Sequence, residues 1–136
     1  MALLSTALEK LVHFEIQQVQ TLIDGDDESF TIDLQQFEGD ICLILQCSDG
    51  GTSTADVFVT SSDDDDDNDP YTPVAGLAFT QLDPDESFQT LTFDKGRCKR
   101  WITLGVTTTA TSSHTYGVTG VGASKYGSTG EYTPAD

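Results

Sequence analysis

The groups in this 136-residue chain with the chemistry for catalysis or ligation are two histidines, three cysteines and 23 carboxylates. A hydrolytic site needs a nucleophile and a base within reach of each other, usually oriented by a third group. The only imidazoles are His13 and His114, and neither lies in a GxSxG or HExxH motif. Both read as surface or turn histidines, and the chain is not expected to be an enzyme. Gly117, Gly120 and Gly122 lie along a β pattern with no helix after them, so they do not cradle phosphate.

Cys42, Cys47 and Cys98 form no CxxC or Cys/His ligand spacing. In a strand, residues 42 and 47 point to opposite faces and do not bridge. Cys42 and Cys98 meet only if their strands are neighbours, and reduced, buried thiols are expected. The carboxylates cluster between Asp63 and Asp69. An EF-hand begun at Asp63 fails, because Asn68 takes the glycine position and Val74 the bidentate glutamate position. A looser cation site built from Asp63, Asp65, Asp67 and Asp69 stands beside the plainer reading of a solvated acidic loop. No cofactor is expected, and no metal beyond that weak candidate.

Four of the six basic residues, Lys95, Arg97, Lys99 and Arg100, lie immediately before Trp101. They either neutralise the chain's own acidic loop or form a docking patch for an acidic neighbour. Trp101 is then core or an interface anchor, since Trp and Arg are both enriched at binding hot spots. The net charge of −17 repels phosphate backbones and anionic headgroups, which argues against a nucleic-acid or membrane partner.

At this length one domain is expected. No apolar run approaches the ~18 residues of a membrane span. Residues 1–10 lack a basic n-region, and Glu9 interrupts any h-region, so no cleaved signal is expected.

The elements that position these groups are mostly strands. Residues 1–12 carry the only helical signal, with Thr6 and Glu9 at capping-box spacing and Leu4, Leu8, Leu11 and Val12 on one face; a short helix or an extended arm is expected. From His13 the pattern becomes a strand with one slip, through Phe14, Ile16, Val19 and Leu22. Asp24 to Asp27 read as a turn, and Phe30, Ile32 and Leu34 as a half-buried strand. Asp40 to Cys47 is apolar on both faces and reads as a fully covered central strand.

Ala55, Val57 and Val59 make another strand, with Phe58 on its opposite face, before the solvated loop from Ser61 to Pro70. Leu77 with Phe79, then Phe88, Leu91 and Phe93, give shorter strands split by Asp83-Pro84-Asp85. Cys98 to Thr109 form a long strand, and Tyr116, Val118 and Val121 the last one. Strands at this spacing, with Gly, Pro and Asp turns, predict an all-β fold: an antiparallel β-sandwich or jelly roll with an N-terminal arm or short helix. The expected organisation is an arm and first strand over 1–24, the sandwich over 25–126, and a polar tail over 127–136.

Four stretches read together resemble the capsid decoration or cement proteins of tailed phages. They are Ile32 to Gly39, Val57 to Asp64, Lys99 to Leu104 and Tyr116 to Gly122, in matching order and spacing over about residues 29–126. Trp101 stands where that family usually has tyrosine, and the Asp run is longer than the family's pair. The resemblance implies a sandwich or jelly roll on the outer capsid surface of the virion, made in the host cytoplasm. It further implies binding to the major capsid protein, assembly as a homo-oligomer with a trimer favoured, and no catalysis.

Residues Leu3, Leu4, Leu8 and Leu11 of the arm and Lys95, Arg97, Lys99, Arg100 and Trp101 are the expected partner contacts. The competing reading is a sugar- or receptor-binding module of a virion fibre or adhesin, using Tyr71, Tyr116 or Tyr126 and a cation at the Asp loop.

Overall fold

The computed structural model describes residues 11–21, 30–48, 54–64, 69–82, 87–108 and 115–124. Eight strands and two single 3₁₀ turns make up these residues: β1 (Leu11–Thr21), β2 (Ile32–Asp33), β3 (Phe37–Cys47), β4 (Ala55–Ser62), β5 (Thr72–Ala78), β6 (Ser87–Asp94), β7 (Trp101–Thr108) and β8 (Thr115–Ser124). They form two four-stranded antiparallel sheets, A in the order β1-β8-β3-β6 and B in the order β2-β7-β4-β5. The pairs β1/β8, β2/β7, β3/β6 and β4/β5 alternate between the sheets, as they do when one long antiparallel hairpin is rolled up. This is an eight-stranded jelly roll.

The core lies between the sheets because the apolar residues alternate. Ile41, Leu43 and Leu45 on β3, Val57 and Val59 on β4, and Ile102 and Leu104 on β7 are all buried. Phe14 packs against Phe37 with ring centroids 5.4 Å apart and planes tilted by 54°. Both rings lie on glycines of β8. A Cβ at Gly120 would overlap the Phe14 ring, and one at Gly122 would come within 2.7 Å of Phe37. The centre of sheet A therefore carries no side chain where these aromatics need room.

Several elements differ from the sequence expectation. Leu11 and Val12 belong to β1 rather than to a helix, with Leu11 paired to Ala123; residues 1–10 lie outside the described residues. β1 has two register shifts where one slip was expected, one on each side of Gln17. The strand expected over Phe30 to Leu34 stops after Ile32–Asp33, because the Asp33 carboxylate accepts from the Gln35 N–H at 3.0 Å and turns the chain into a 3₁₀ turn over Leu34–Gln36. β3 is central but covered on one face only: Cys42 and Ile44 are half-buried and Gln46 is exposed. β7 begins at Trp101, after a 3₁₀ turn at Lys95–Arg97.

Ser61 and Ser62 are buried at the end of β4, and the acidic loop starts after them. β5 breaks register with β4 between Phe58 and Thr60, so that Ala78 and Pro73 are the successive partners. Gly76 in this bulge has φ +80°, a value that favours glycine.

The outward side of sheet A has a regular composition. Across β8, β3 and β6 the register gives three rows: Val121, Cys42 and Thr92; Thr119, Ile44 and Thr90; Gly117, Gln46 and Phe88. Phe88 is 66% exposed there. It lies five residues from Phe93, hence on the opposite face from the buried ring, so it is not a core residue.

Candidate docking site

The basic segment occupies the crossing from β6 in sheet A to β7 in sheet B. Asp94 ends β6 and caps the 3₁₀ turn at Lys95–Arg97, its carboxylate accepting from Gly96 N at 2.7 Å. Asp33 does the same for the turn that leads from β2 into β3. The two capped turns are tied together: Leu34 N donates to Arg100 O at 2.8 Å, and Lys95 Nζ donates to Leu34 O at 3.3 Å.

Between them opens a cavity of about 300 Å³, lined by Leu34, Gln35, Lys95, Gly96, Cys98, Lys99 and Arg100. Leu34 is buried and Cys98 half-buried, while Lys99 and Arg100 remain exposed.

Arg100 grips Asp33 with two N–H groups, at 3.1 and 2.9 Å, and its guanidinium lies 4.9 Å from the centroid of the Trp101 ring. Burial raises the Asp33 pKa, but the Arg100 hydrogen bonds, the Gln35 N–H and the charges of Arg100 and Lys95 outweigh it. The carboxyl titrates below its ordinary value. Trp101 stands half-buried on the outward side of sheet B, beside buried Ile102 on the inward side. It is therefore no core residue.

Lys99 pairs with Asp69 at 3.1 Å, and its backbone N–H donates to Ser61 Oγ. Asp69 also accepts from Asp63 N at 2.6 Å, and its pKa is lowered by that bond and then by Lys99. Ser62 Oγ lies against the carbonyls of Asp64 and Asp69. Arg97 turns away to Ala75 O at 2.8 Å, holding the bulge of β5. Lys99 and Arg100 thus pair with the carboxylates of Asp69 and Asp33, while Lys95 and Arg97 bond to the backbone carbonyls of Leu34 and Ala75.

Burial pushes the Cys98 thiol up to about 11 even with Arg97 nearby. Its alkylation rate is expected to climb roughly tenfold per pH unit from pH 8 to 10, as thiolate forms. Mass mapping of the labelled peptide checks this.

The site gathers Lys95, Lys99 and Arg100 around one opening, with Trp101 behind Arg100. Leu11 joins sheet A at the same end of the sandwich, since Val12, Gly122, Ile41 and Phe93 form one cross-strand row. It stands three strand spacings, about 14 Å, from the β6 edge. Leu3, Leu4 and Leu8 lie outside the described residues.

Of the candidate cation loop, Asp65 and Asp67 lie outside them too, and Asp69 is held by Lys99. Tyr116 is buried and so is no stacking platform; Tyr71 is half-buried, and Tyr126 lies outside the described residues. Among the described residues all three cysteines are free, with Cys47 buried and Cys42 and Cys98 half-buried. Asp33 escaped the sequence reading as a site residue. The signal for it was the Asp-Leu-Gln-Gln stretch, which suits a capping Asp better than a strand.

No protein-family model and no curated protein matches the chain. Among solved structures it is similar to the SPBc2 prophage-derived protein YomS, with a TM-score of 0.52 at 15% identity over 84% of this chain and 93% of that one. Looser matches include the CBM22-1 xylan-binding domain of Paenibacillus barcinonensis Xyn10C, at TM-score 0.43 and 12% identity over 82% of this chain and 72% of that one. Another is the coat protein of Tobacco streak virus, at TM-score 0.37 and 10% identity over 85% and 87%.

Proposed function

We propose that the chain is a virion structural protein of a tailed phage that decorates and cements the outer capsid surface by binding the major capsid protein. The observation that carries this reading is the Lys95–Trp101 site, where Lys95, Lys99 and Arg100 line an open cavity on an otherwise strongly acidic sandwich. Such a site suits an acidic segment of a neighbouring subunit, and charge complementarity sets register and selectivity more than affinity. A jelly roll like that of a prophage-derived protein and the ordered motifs over residues 29–126 support it.

The arm adds apolar reach. Ten residues span at most ~33 Å from Leu11, enough to bring Leu3, Leu4 and Leu8 onto a neighbour.

Co-sedimentation with expanded, undecorated heads tests this. Saturable binding is expected, weakening as salt screens the contact. Lys95→Glu with Lys99→Glu should weaken it at least tenfold, equivalent to about 1.4 kcal/mol, with the circular dichroism spectrum unchanged. Removing residues 2–10 should weaken it as well. Full binding by the charge-reversed variant sinks the site, and no binding by the native chain sinks the function.

The competing sugar-binding reading has one observation in its favour. At the opposite end of sheet A a cavity of about 530 Å³ places exposed Phe88 beside Ser48, Ser87 and Thr115, an aromatic platform with hydroxyls around it. Retention on a glycan array without binding to heads would select it.

A further inference from the structure

We infer that the outward side of sheet A is a self-association surface that receives a second copy of this chain. The three rows across β8, β3 and β6 contain no ionisable side chain other than the Cys42 thiol, in a chain with 23 carboxylates. The carboxylates of this side stand at its margins: Glu15 on β1, Glu38 and Asp40 at the start of β3, and Asp94 at the end of β6. Phe88 and Leu11, the large hydrophobic residues that the described structure leaves exposed, both belong to sheet A. Leu11 is 40% exposed but lies beyond the uncharged rows, in line with Ala123 and Glu38, and His13 and Glu15 follow it on β1 beside Val121 and Thr119.

Charge identifies the occupant. Two copies at −17 repel each other, and they tolerate contact only where neither brings a carboxylate into the interface. A basic partner would gain from the acidic margins and loops and nothing from this block. A flat Thr, Val and Ile surface is, by contrast, complementary to itself, as isologous contacts require.

Three strands by three rows cover about 300 Å² at ordinary strand spacing. A stable free dimer needs roughly 800 Å² per partner. Free copies therefore pair weakly, and copies held side by side pair readily. The inference does not depend on what the basic site binds, and its salt dependence has the opposite sign. An uncharged contact between like-charged chains strengthens as salt screens their repulsion.

Sedimentation equilibrium up to about 1 mM protein, a range that captures weak association, with alkylation of Cys42 followed by peptide mapping, tests it. A monomer–dimer equilibrium is expected that tightens severalfold between low salt and ~1 M salt. Cys42 labelling should slow as protein concentration rises. Thr90→Glu with Thr119→Glu, both at exposed positions beside Ile44, should weaken dimerisation at least tenfold, while Thr107→Glu on sheet B leaves it unchanged.

A chain that stays monomeric at ~1 mM in ~1 M salt overturns the inference. So does a dimer that ignores the Thr90/Thr119 pair. Cys42 labelling that is slow at every concentration also overturns it, because a segment of the same chain then covers the face.

Discussion

Replacing Phe14 with alanine is expected to lower the unfolding free energy by about 3–5 kcal/mol, the usual cost of emptying a buried phenylalanine site. For a domain of this size that is a fall in melting midpoint on the order of 10–20 °C. Phe14 is buried against Phe37 and lies over Gly120, where a Cβ would overlap its ring. Gly120→Ala alone is therefore expected to cost about 1–3 kcal/mol by overpacking.

In the Phe14→Ala background the same substitution fills part of the cavity, and its effect should vanish or turn stabilising. The coupling, measured by urea denaturation of all four proteins, should fall at about 1–3 kcal/mol. Simple additivity would mean that the ring and the glycine do not share this space.

Asp33→Ala should have the next largest effect, about 3 kcal/mol. The carboxylate receives two N–H groups from Arg100 and caps the turn through Gln35 N. Hydrogen bonds to a charged group contribute roughly 1.5–3 kcal/mol and a cap about 1, discounted here because the Arg100 side chain is 46% exposed and water recovers part of its loss. Asp33→Asn keeps an oxygen for the cap and loses the charge, so it should fall between.

The folded-state pKa of Asp33 is lowered, so the carboxylate contributes its full stability above the unfolded value of about 3.9. That contribution disappears as pH falls through the folded value. The gap between wild type and Asp33→Ala should therefore be flat near neutrality and close in acid. Denaturant midpoints taken across that range check the sign. The same substitution frees Arg100 from its bidentate geometry and should weaken docking at the cavity it lines.

The unbroken apolar run of Asp40 to Cys47 made β3 visible in the sequence as a central strand but suggested cover on both faces, where only the Ile41, Leu43 and Leu45 side is buried; the alternation of Ala55, Val57 and Val59 made β4 visible, because period-two burial is a local property. Phe88 could not be placed by hydrophobicity alone; its parity against Phe93 decides its face. The Arg100–Asp33 pair joins residues 67 apart in sequence, and nothing local marks two residues brought together only when β2 and β7 pair. The proximity of Lys99 to the acidic loop was open to a charge argument, whereas the Arg97 contact with Ala75 depends on a bulge that only the folded register of β5 creates. The glycines of β8 were legible as strand positions. Which rings lie on them was not, since β1 supplies Phe14 from the other end of the chain.

The pairing of β1 with β8 also orders events during synthesis. β8 lies between β1 and β3, so the centre of sheet A is filled by the last of the eight strands to leave the ribosome. Roughly 100 residues separate the two partners, which at 5–20 residues per second leaves β1 waiting on the order of 5–20 s. Until then neither Phe14 nor Phe37 has its glycine, and β3 has an open flank. The nascent chain cannot complete its fold piecemeal, and a chain stalled before residue 115 keeps its apolar strands uncovered as substrate for chaperones and proteases.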